Sequence, residues 1–141
     1  MLELTETIIV NDPRRARSLL NDLRQVGVRI ALDDFGTGHT SMSQLRTLPV
    51  DELKIDQSFV RGLPAEPSSS AIVQSVVTLA QGLKLDVVAE GIETEAQRAA
   101  LMKLGCRLGQ GFLFARALSP EEFEARLRTA KVAGAQVAVP R

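Results

Sequence analysis

The sequence of 141 residues has little aromatic character and a single cysteine. It contains no Trp or Tyr and only five Phe, so few side chains are available for the aromatic platforms on which proteins stack single-stranded nucleic acid. The lone Cys106 excludes an internal disulfide and is typical of a reducing cytoplasm. Seventeen basic and seventeen acidic residues cancel, so no net charge attracts the chain to DNA or RNA. We therefore expect no nucleic-acid partner.

Long hydrophobic runs are absent as well. No stretch approaches the roughly 20 apolar residues that cross a bilayer, and the N-terminus lacks the layout of a signal peptide. Hydrophobic residues nonetheless make up 45% of the chain, which is enough for one core. We expect a cytoplasmic globular protein without direct membrane insertion, whose parent protein could be tethered to a membrane sensor.

Five short apolar runs each end in a charged or amide residue, and helix-like stretches separate them. Strands that alternate with helices pair in parallel, and in closed (β/α) barrels the chemistry lies where the strands end. The polar side chains should therefore meet in one site, in which at least four carboxylates surround a lysine. So much negative charge in one pocket indicates a divalent metal. The runs are Leu2 to Glu6, Val28 to Asp34, Leu53 to Asp56, Val87 to Glu90 and Arg107 to Gln110.

This pattern predicts an α/β fold that forms a partial TIM-type (β/α) barrel. A closed barrel takes eight strands and typically about 250 residues, whereas this chain offers about five βα units. We expect the N-terminal strands to be missing, although an open sheet or completion by a second copy would also fit. Unpaired sheet edges predict a homo-oligomer or pairing with the missing half. Residues 1–130 should form the barrel part, and residues 131–141 should form a flexible tail.

Helix signals lie between the strands. Asp12 begins the first helix, and capping-box spacings begin two more at Thr94 and Ser119. The segment Gly62 to Ser70 should be a loop, either a mobile rim segment or a solvated connection, and the helix after it should end at Gly82. The predicted buried stripes of three helices are Ala16, Leu19, Leu20, Leu23 and Val26, then Ile72, Val73, Val76, Val77 and Ala80, and finally Phe123, Leu127 and Ala130.

Two adjacent carboxylates at the end of the second strand give the strongest local signal. Asp33 and Asp34 would point to opposite sides of a regular strand, but a turn at Phe35 and Gly36 can bring both towards one centre. A metal pair roughly 3.5–4 Å apart needs such bridging carboxylates. The alternative is a surface turn in which an Asp caps a helix or turn.

Further candidates come from the first and third strands. Glu3 can face the lumen as a metal ligand, whereas Glu6 lies past the strand end and is better placed to anchor a loop. Lys54 and Asp56 alternate with apolar residues, so both should face the lumen. A lysine there needs carboxylates nearby, and it could hold a phosphoryl oxygen or orient a water. A solvated glutamate near the terminus is the alternative for Glu3.

The remaining candidates lie at the fourth and fifth strand ends. Glu90 is a possible ligand or general base, whereas Glu93 either belongs to the site or simply begins the next helix. Gln110 lies between two glycines and suits an uncharged hydrogen-bonding contact. We interpret His39 as a loop residue rather than a catalyst, and Cys106 as a small core residue.

The order of these motifs closely resembles the EAL domain family of bacterial phosphodiesterases, which open cyclic di-GMP to the linear dinucleotide pGpG. The resemblance runs from residue 2 to about residue 128, and five motifs in order make it specific. The motifs are Leu2-Glu3-Leu4-Thr5-Glu6, Asp33-Asp34-Phe35-Gly36-Thr37-Gly38, Leu53-Lys54-Ile55-Asp56, Ala89-Glu90-Gly91-Ile92-Glu93-Thr94 and Gln110-Gly111-Phe112-Leu113-Phe114.

The resemblance implies a (β/α) barrel that uses two Mg²⁺ or Mn²⁺ ions and takes cyclic di-GMP as its substrate. It implies roles for nine residues. Glu3, Asp33 and Asp34 would be metal ligands, and Lys54 and Glu90 would be catalytic residues. Asp56 and Gln110 would position substrate or water. Glu6 and Glu93 would support the loop that runs from Asp34 to Ser41. In this family that loop joins metal occupancy to dimer formation.

The sequence also departs from the family. The Glu-Ala-Leu segment with its ligand glutamate, and an asparagine ligand on another early strand, are absent and should lie upstream of residue 1. His39 and Thr40 stand where the family often has Tyr and Ser, and Ala117 where a proline is common. We therefore expect a truncated piece with little or no activity alone. The alternative is a catalytically inactive module that binds cyclic di-GMP or dimerises.

Overall fold

The computed structural model describes residues 1–6, 12–36 and 42–132. Among these residues five strands alternate with six helices. The sequence predicts the strands and five of the helices, but not the short helix Gln57–Arg61. The strands are β1 (Leu2–Thr5), β2 (Ile30–Phe35), β3 (Glu52–Ile55), β4 (Asp86–Ala89) and β5 (Leu108–Gly109). The helices are α1 (Pro13–Gln25), α2 (Met42–Leu45), α3 (Gln57–Arg61), α4 (Pro67–Leu83), α5 (Glu95–Lys103) and α6 (Pro120–Val132).

All five strands are parallel and lie side by side in chain order. This arrangement is the one that successive βα units produce in a barrel, and the chain has the predicted α/β fold with a partial barrel. Within the described residues β1 and β5 each have one neighbour, so the two open edges are confirmed.

The core lies between the outer face of the sheet and the helices. Leu53 and Ile55 of β3 are fully buried there together with Ile30 and Leu32 of β2. Alternation along β3 sends Lys54 to the opposite, inner face, where its side chain is only 5% exposed. The predicted division of β3 into an apolar outer face and a polar inner face is therefore confirmed for Lys54.

Several predicted helix details are wrong. Leu19 of α1 and Val26, the residue directly after that helix, are exposed. Ile72 of α4 is 36% exposed and Phe123 of α6 is 42% exposed, although Leu20 and the valines of α4 are buried as predicted. Apolar periodicity identified the helices but overestimated the width of their buried faces.

The segment Gly62 to Ser70 is not one long loop. Helix α3 precedes it, and α4 already begins at Pro67, since proline is favoured in the first helical turn. Ser69 is buried and its hydroxyl donates a hydrogen bond to Glu66 at 2.9 Å. Helix α4 also continues past Gly82, and Lys84 adopts the left-handed conformation that ends it.

Both capping boxes are confirmed. Thr94 accepts a hydrogen bond from the backbone N–H of Gln97, whose side chain accepts one from Thr94 in return. Ser119 and Glu122 make the same reciprocal pair. Cys106 is a buried core residue, as predicted. The tail predicted for residues 131–141 lies mostly outside the described residues, since α6 ends at Val132.

Candidate active site at the strand ends

A bulge in β2 determines how the paired aspartates are presented. The pairing of β2 with β3 shifts register between Leu32 and Phe35, and Asp34 has a φ of 55°. A bulge re-aims side chains that would otherwise alternate across the strand. The Asp34 N–H donates to Asp33 Oδ1 at 3.1 Å. The two carboxylates are thus brought to one side by the strand itself, slightly before the turn that the sequence suggested.

Three carboxylates converge at the carboxyl ends of β2 and β4. Asp33, Asp34 and Glu90 each offer an oxygen, and these oxygens all lie within 4.8 Å of one another. All three side chains are half-buried. Carboxylate oxygens at such separations are the ligands that Mg²⁺, Mn²⁺ and Ca²⁺ prefer. The donor set therefore fits a divalent cation.

Lys54 of β3 joins this cluster to Glu3 of β1. Its Nζ lies 2.6 Å from Glu90 Oε1, 2.9 Å from Glu3 Oε2 and 3.2 Å from Asp33 Oδ1. Burial alone would lower the pKa of Lys54, but the hydrogen bonds to Glu90 and Glu3 outweigh it and raise that pKa. Lys54 is therefore a permanent positive charge. Glu3 contacts this ammonium and is not one of the three converging carboxylates.

Gln110 lies beside Glu90. Its Nε2 donates to Glu90 Oε1 at 2.8 Å, the same oxygen that Lys54 contacts. Glu90 is thus held from two sides by a cation and an amide. Glu90 and Gln110 directly follow β4 and β5, and they meet here as the sequence predicts for residues at neighbouring strand ends.

The environment makes two of the carboxylates weaker acids than usual. Burial raises the pKa of Asp34, and the neighbouring Asp33 charge and a hydrogen bond with Asp56 add to the rise. Burial likewise raises the pKa of Glu90, although Lys54 opposes the change. A divalent cation would reverse both effects, because it favours the ionised forms.

The family model for the EAL domain matches residues 1–117 of this chain. The chain belongs to the EAL domain family. It is 52% identical over 120 residues to an uncharacterized protein of Mycobacterium tuberculosis, covering 85% of this chain and 19% of that protein. It is also 41% identical over 123 residues to the cyclic di-GMP phosphodiesterase RocR of Pseudomonas aeruginosa, covering 87% of this chain and 31% of RocR.

Solved structures of the same family superpose on the chain. The EAL domain of Mycobacterium smegmatis DcpA has a TM-score of 0.85 and 44% identity, over 91% of this chain and 57% of that one. Klebsiella pneumoniae BlrP1, in a manganese and cyclic di-GMP complex, has a TM-score of 0.75 and 40% identity, over 81% and 29% of the two chains. The chain thus spans less than a third of the length of the two curated relatives.

Asp56 occupies a different position in this EAL sheet from the one its alternation with Lys54 suggested. It caps helix α3, and its side chain accepts a hydrogen bond from the Ser58 N–H at 2.9 Å. Although burial favours the neutral acid, the hydrogen bonds from Ser58 lower the pKa of Asp56. Its only link to the cluster that the described residues show is the hydrogen bond with Asp34. A role in positioning substrate or water stays a prediction.

The two predicted loop supports lie in different places. Glu6 is buried, and its Oε1 accepts a hydrogen bond from the Gly36 N–H at 3.2 Å, directly before the loop. Residues 37–41, including His39 and Thr40, lie outside the described residues. Glu93 instead lines a cavity of about 360 Å³ that also borders Glu90 and Gln110. Their supporting roles stay predictions.

Sequence reasoning missed two buried residues near this site. Glu52 is 6% exposed on the inner face, two residues before Lys54, and the same alternation that identified Lys54 would have found it. Burial raises the pKa of Glu52, while Arg29 opposes this. Ile92 is 3% exposed and lies between the Glu90 and Gln110 segments; as an apolar residue it gave no chemical signal.

Proposed function

We propose that this chain carries the catalytic strand ends of a metal-dependent phosphodiesterase that hydrolyses cyclic di-GMP to linear pGpG in bacterial signalling. The observation that carries this proposal is the convergence of Asp33, Asp34 and Glu90 beside Lys54. A cluster with three acids and one permanent cation suits the binding of divalent metal and a phosphodiester together.

The family relatives support the choice of substrate. RocR is a cyclic di-GMP phosphodiesterase, and the BlrP1 structure contains manganese and cyclic di-GMP. Each of the acidic motif positions that the resemblance quotes is still acidic in this chain. On these grounds we infer Mg²⁺ or Mn²⁺ as the metal, in a two-metal site with Asp33 and Asp34 as ligands. Glu3 is the further ligand that the family resemblance implies, although its carboxylate here lies 2.9 Å from Lys54 Nζ. Glu90, which converges with the two aspartates, would be a ligand or the general base.

When bound, the cations would lower the pKa of a water and offset negative charge on the phosphorus centre. Lys54 would hold that water or a phosphoryl oxygen with its charged Nζ, and Glu90 would accept the proton of the water as it attacks phosphorus. Gln110 would keep Glu90 Oε1 in place. The bond between phosphorus and a sugar 3′ oxygen then breaks, and that oxygen must gain a proton to leave as the free hydroxyl of pGpG.

We further propose that this 141-residue chain has little or no activity alone. Its sequence contains no Glu-Ala-Leu segment, so one ligand expected from the family resemblance is not supplied. Removing one ligand leaves the other carboxylates in mutual repulsion and weakens metal binding. Pairing of the open β1 and β5 edges, with a second copy or with further barrel strands, would cover them.

Two further points stay predictions. None of the helices described here is long and apolar enough to cross a bilayer. We propose a cytoplasmic location, which the lone Cys106 supports. The alternative function is a catalytically inactive module that binds cyclic di-GMP or dimerises. The retained Lys54 and Glu90 favour the enzyme, because a module that only binds needs no proton acceptor.

Calorimetric titration with cyclic di-GMP in the presence of Mn²⁺, followed by chromatography for pGpG, tests this proposal. We expect binding that requires Mn²⁺ and a pGpG yield far below that of a complete EAL domain assayed in parallel. Turnover equal to the complete domain would contradict the role given to the missing ligand. Absence of any binding at millimolar Mn²⁺ would contradict the proposed function of this chain.

A further inference from the structure

We propose that Ile92 is a positioning residue that fixes Gln110 against Glu90. The Gly91-Ile92 turn follows β4, and Gln110 follows β5, so two separate strand ends must be held together for the 2.8 Å hydrogen bond between Gln110 Nε2 and Glu90 Oε1. Ile92 contacts the Gln110 segment through both its backbone and its side chain. This role concerns geometry in the chain itself, and only its importance for catalysis rests on the proposed function.

The backbone of Ile92 extends the pairing of β4 with β5 beyond the strands. The Gln110 N–H donates to the Ala89 carbonyl at 2.8 Å, the Ile92 N–H donates to the Gln110 carbonyl at 3.0 Å, and the Leu113 N–H donates to the Ile92 carbonyl at 2.9 Å. Both polar backbone groups of Ile92 therefore bind the segment that carries Gln110. Three successive bonds leave the Gln110 backbone little freedom to shift along β4.

The side chain and backbone of Ile92 also touch the glycines on either side of Gln110. A Cβ on Gly109 would overlap Ile92 Cδ1, and a Cβ on Gly111 would overlap the backbone nitrogen and carbonyl oxygen of Ile92. Such close approach is possible only because both neighbours are glycine. Ile92 is 3% exposed and belongs to the hydrophobic core, so its side chain is packed on the side away from these glycines as well.

This contact matters because Glu90 Oε1 is shared. It lies 2.6 Å from Lys54 Nζ as well as 2.8 Å from Gln110 Nε2. If Gln110 moved away, Glu90 would keep the lysine but lose the amide that fixes its orientation toward Asp33 and Asp34. Ile92 would thus influence the carboxylates Asp33, Asp34 and Glu90 through Gln110, without contacting these carboxylates itself.

The test measures the NMR order parameter of the Gln110 side-chain amide, which is exposed, in the metal-free chain. We expect the order parameter to fall below about 0.6, the range of a flexible group, in Ile92→Ala and to be clearly higher in the wild type, with Ile92→Val close to the wild type. Leu101→Ala is the matched control, because Leu101 is equally buried (2% exposed) in the same core but lies in helix α5. It should lose stability without changing the Gln110 amide.

Gly111→Ala is the second variant, and it approaches the same contact from the other side. Its methyl group must push the Gln110 segment away from Ile92, so the order parameter of the amide should again fall even if Ile92→Ala folds poorly. An unchanged order parameter in either variant, or an equal fall in Leu101→Ala, would overturn the inference. A wild-type chain that binds neither Mn²⁺ nor cyclic di-GMP would refute the proposed function. The comparison of the Gln110 amide between the variants and the wild type would still decide whether Ile92 positions Gln110.

Discussion

Replacing Lys54 with Met removes the one cation that three carboxylates share. Lys54 Nζ contacts Glu3, Asp33 and Glu90, and the lysine side chain is 5% exposed while those of the three acids are 48%, 23% and 17% exposed. Removing one partner of a fully buried ion pair costs about 3–5 kcal/mol. Because water still reaches the acids, Glu3 most of all, we expect a smaller loss of about 2–3 kcal/mol at pH 7.

This loss should depend on pH and on metal in defined directions. As pH falls from 7 towards 4, the unpaired carboxylates take up protons and their repulsion disappears, so the variant should approach the wild type. Mn²⁺ should restore the variant at pH 7. Its affinity should be at least about tenfold higher than in the wild type, or about 1.4 kcal/mol, because no lysine competes for the acids.

Urea unfolding at several pH values, with and without Mn²⁺, checks these expectations. Lys103→Met is the control, since Lys103 is exposed at the end of α5. If Lys54→Met were no less stable than this control at pH 7, or bound Mn²⁺ more weakly than the wild type, the account of Lys54 as the counter-ion of the cluster would be refuted.

Two further results are expected. Burial raises the pKa of Cys106 to about 11, so the thiol of the folded chain should resist a disulfide reagent at pH 8, and fast labelling of the folded chain would contradict this. The free energy of unfolding should also fall as pH rises from about 9 towards 11, because in that range the thiol of the unfolded chain ionises while that of the folded chain does not. The Glu52 carboxylate is buried and accepts no hydrogen bond from the described residues, so Glu52→Met should stabilise the chain by about 1 kcal/mol in urea unfolding, and a loss of stability would contradict it.

The sequence predicted the candidate site better than the surroundings of the site. Asp33, Lys54, Glu90 and Gln110 lie at the ends of parallel strands, and strand ends of one sheet meet at one edge. Alternation along β3 also assigned Lys54 to the inner face. These rules are local, and nothing in the surrounding packing overrides them.

The remaining details depend on packing that no local pattern contains. Asp56 continues the alternation of β3, but the chain turns into α3 at that point and its carboxylate caps the helix. Leu19 and Val26 have the helical spacing of the other apolar residues in and after α1, yet they are exposed. Helical spacing alone does not bury a side chain, because another part of the structure must also pack against it. Ile92 has no ionisable or metal-binding group, so only its contacts with two glycines reveal its position.

The central claim is that the carboxyl ends of β2, β3 and β4 form a divalent-metal site. Mn²⁺ titration followed by electron paramagnetic resonance, on the wild type and on Asp34→Asn, tests it most directly. The account predicts Mn²⁺ binding by the wild type and affinity at least about tenfold weaker in the variant, with Asp22→Asn, on the exposed face of α1, unchanged. Equal Mn²⁺ affinity in all three proteins, or none in the wild type, would contradict it.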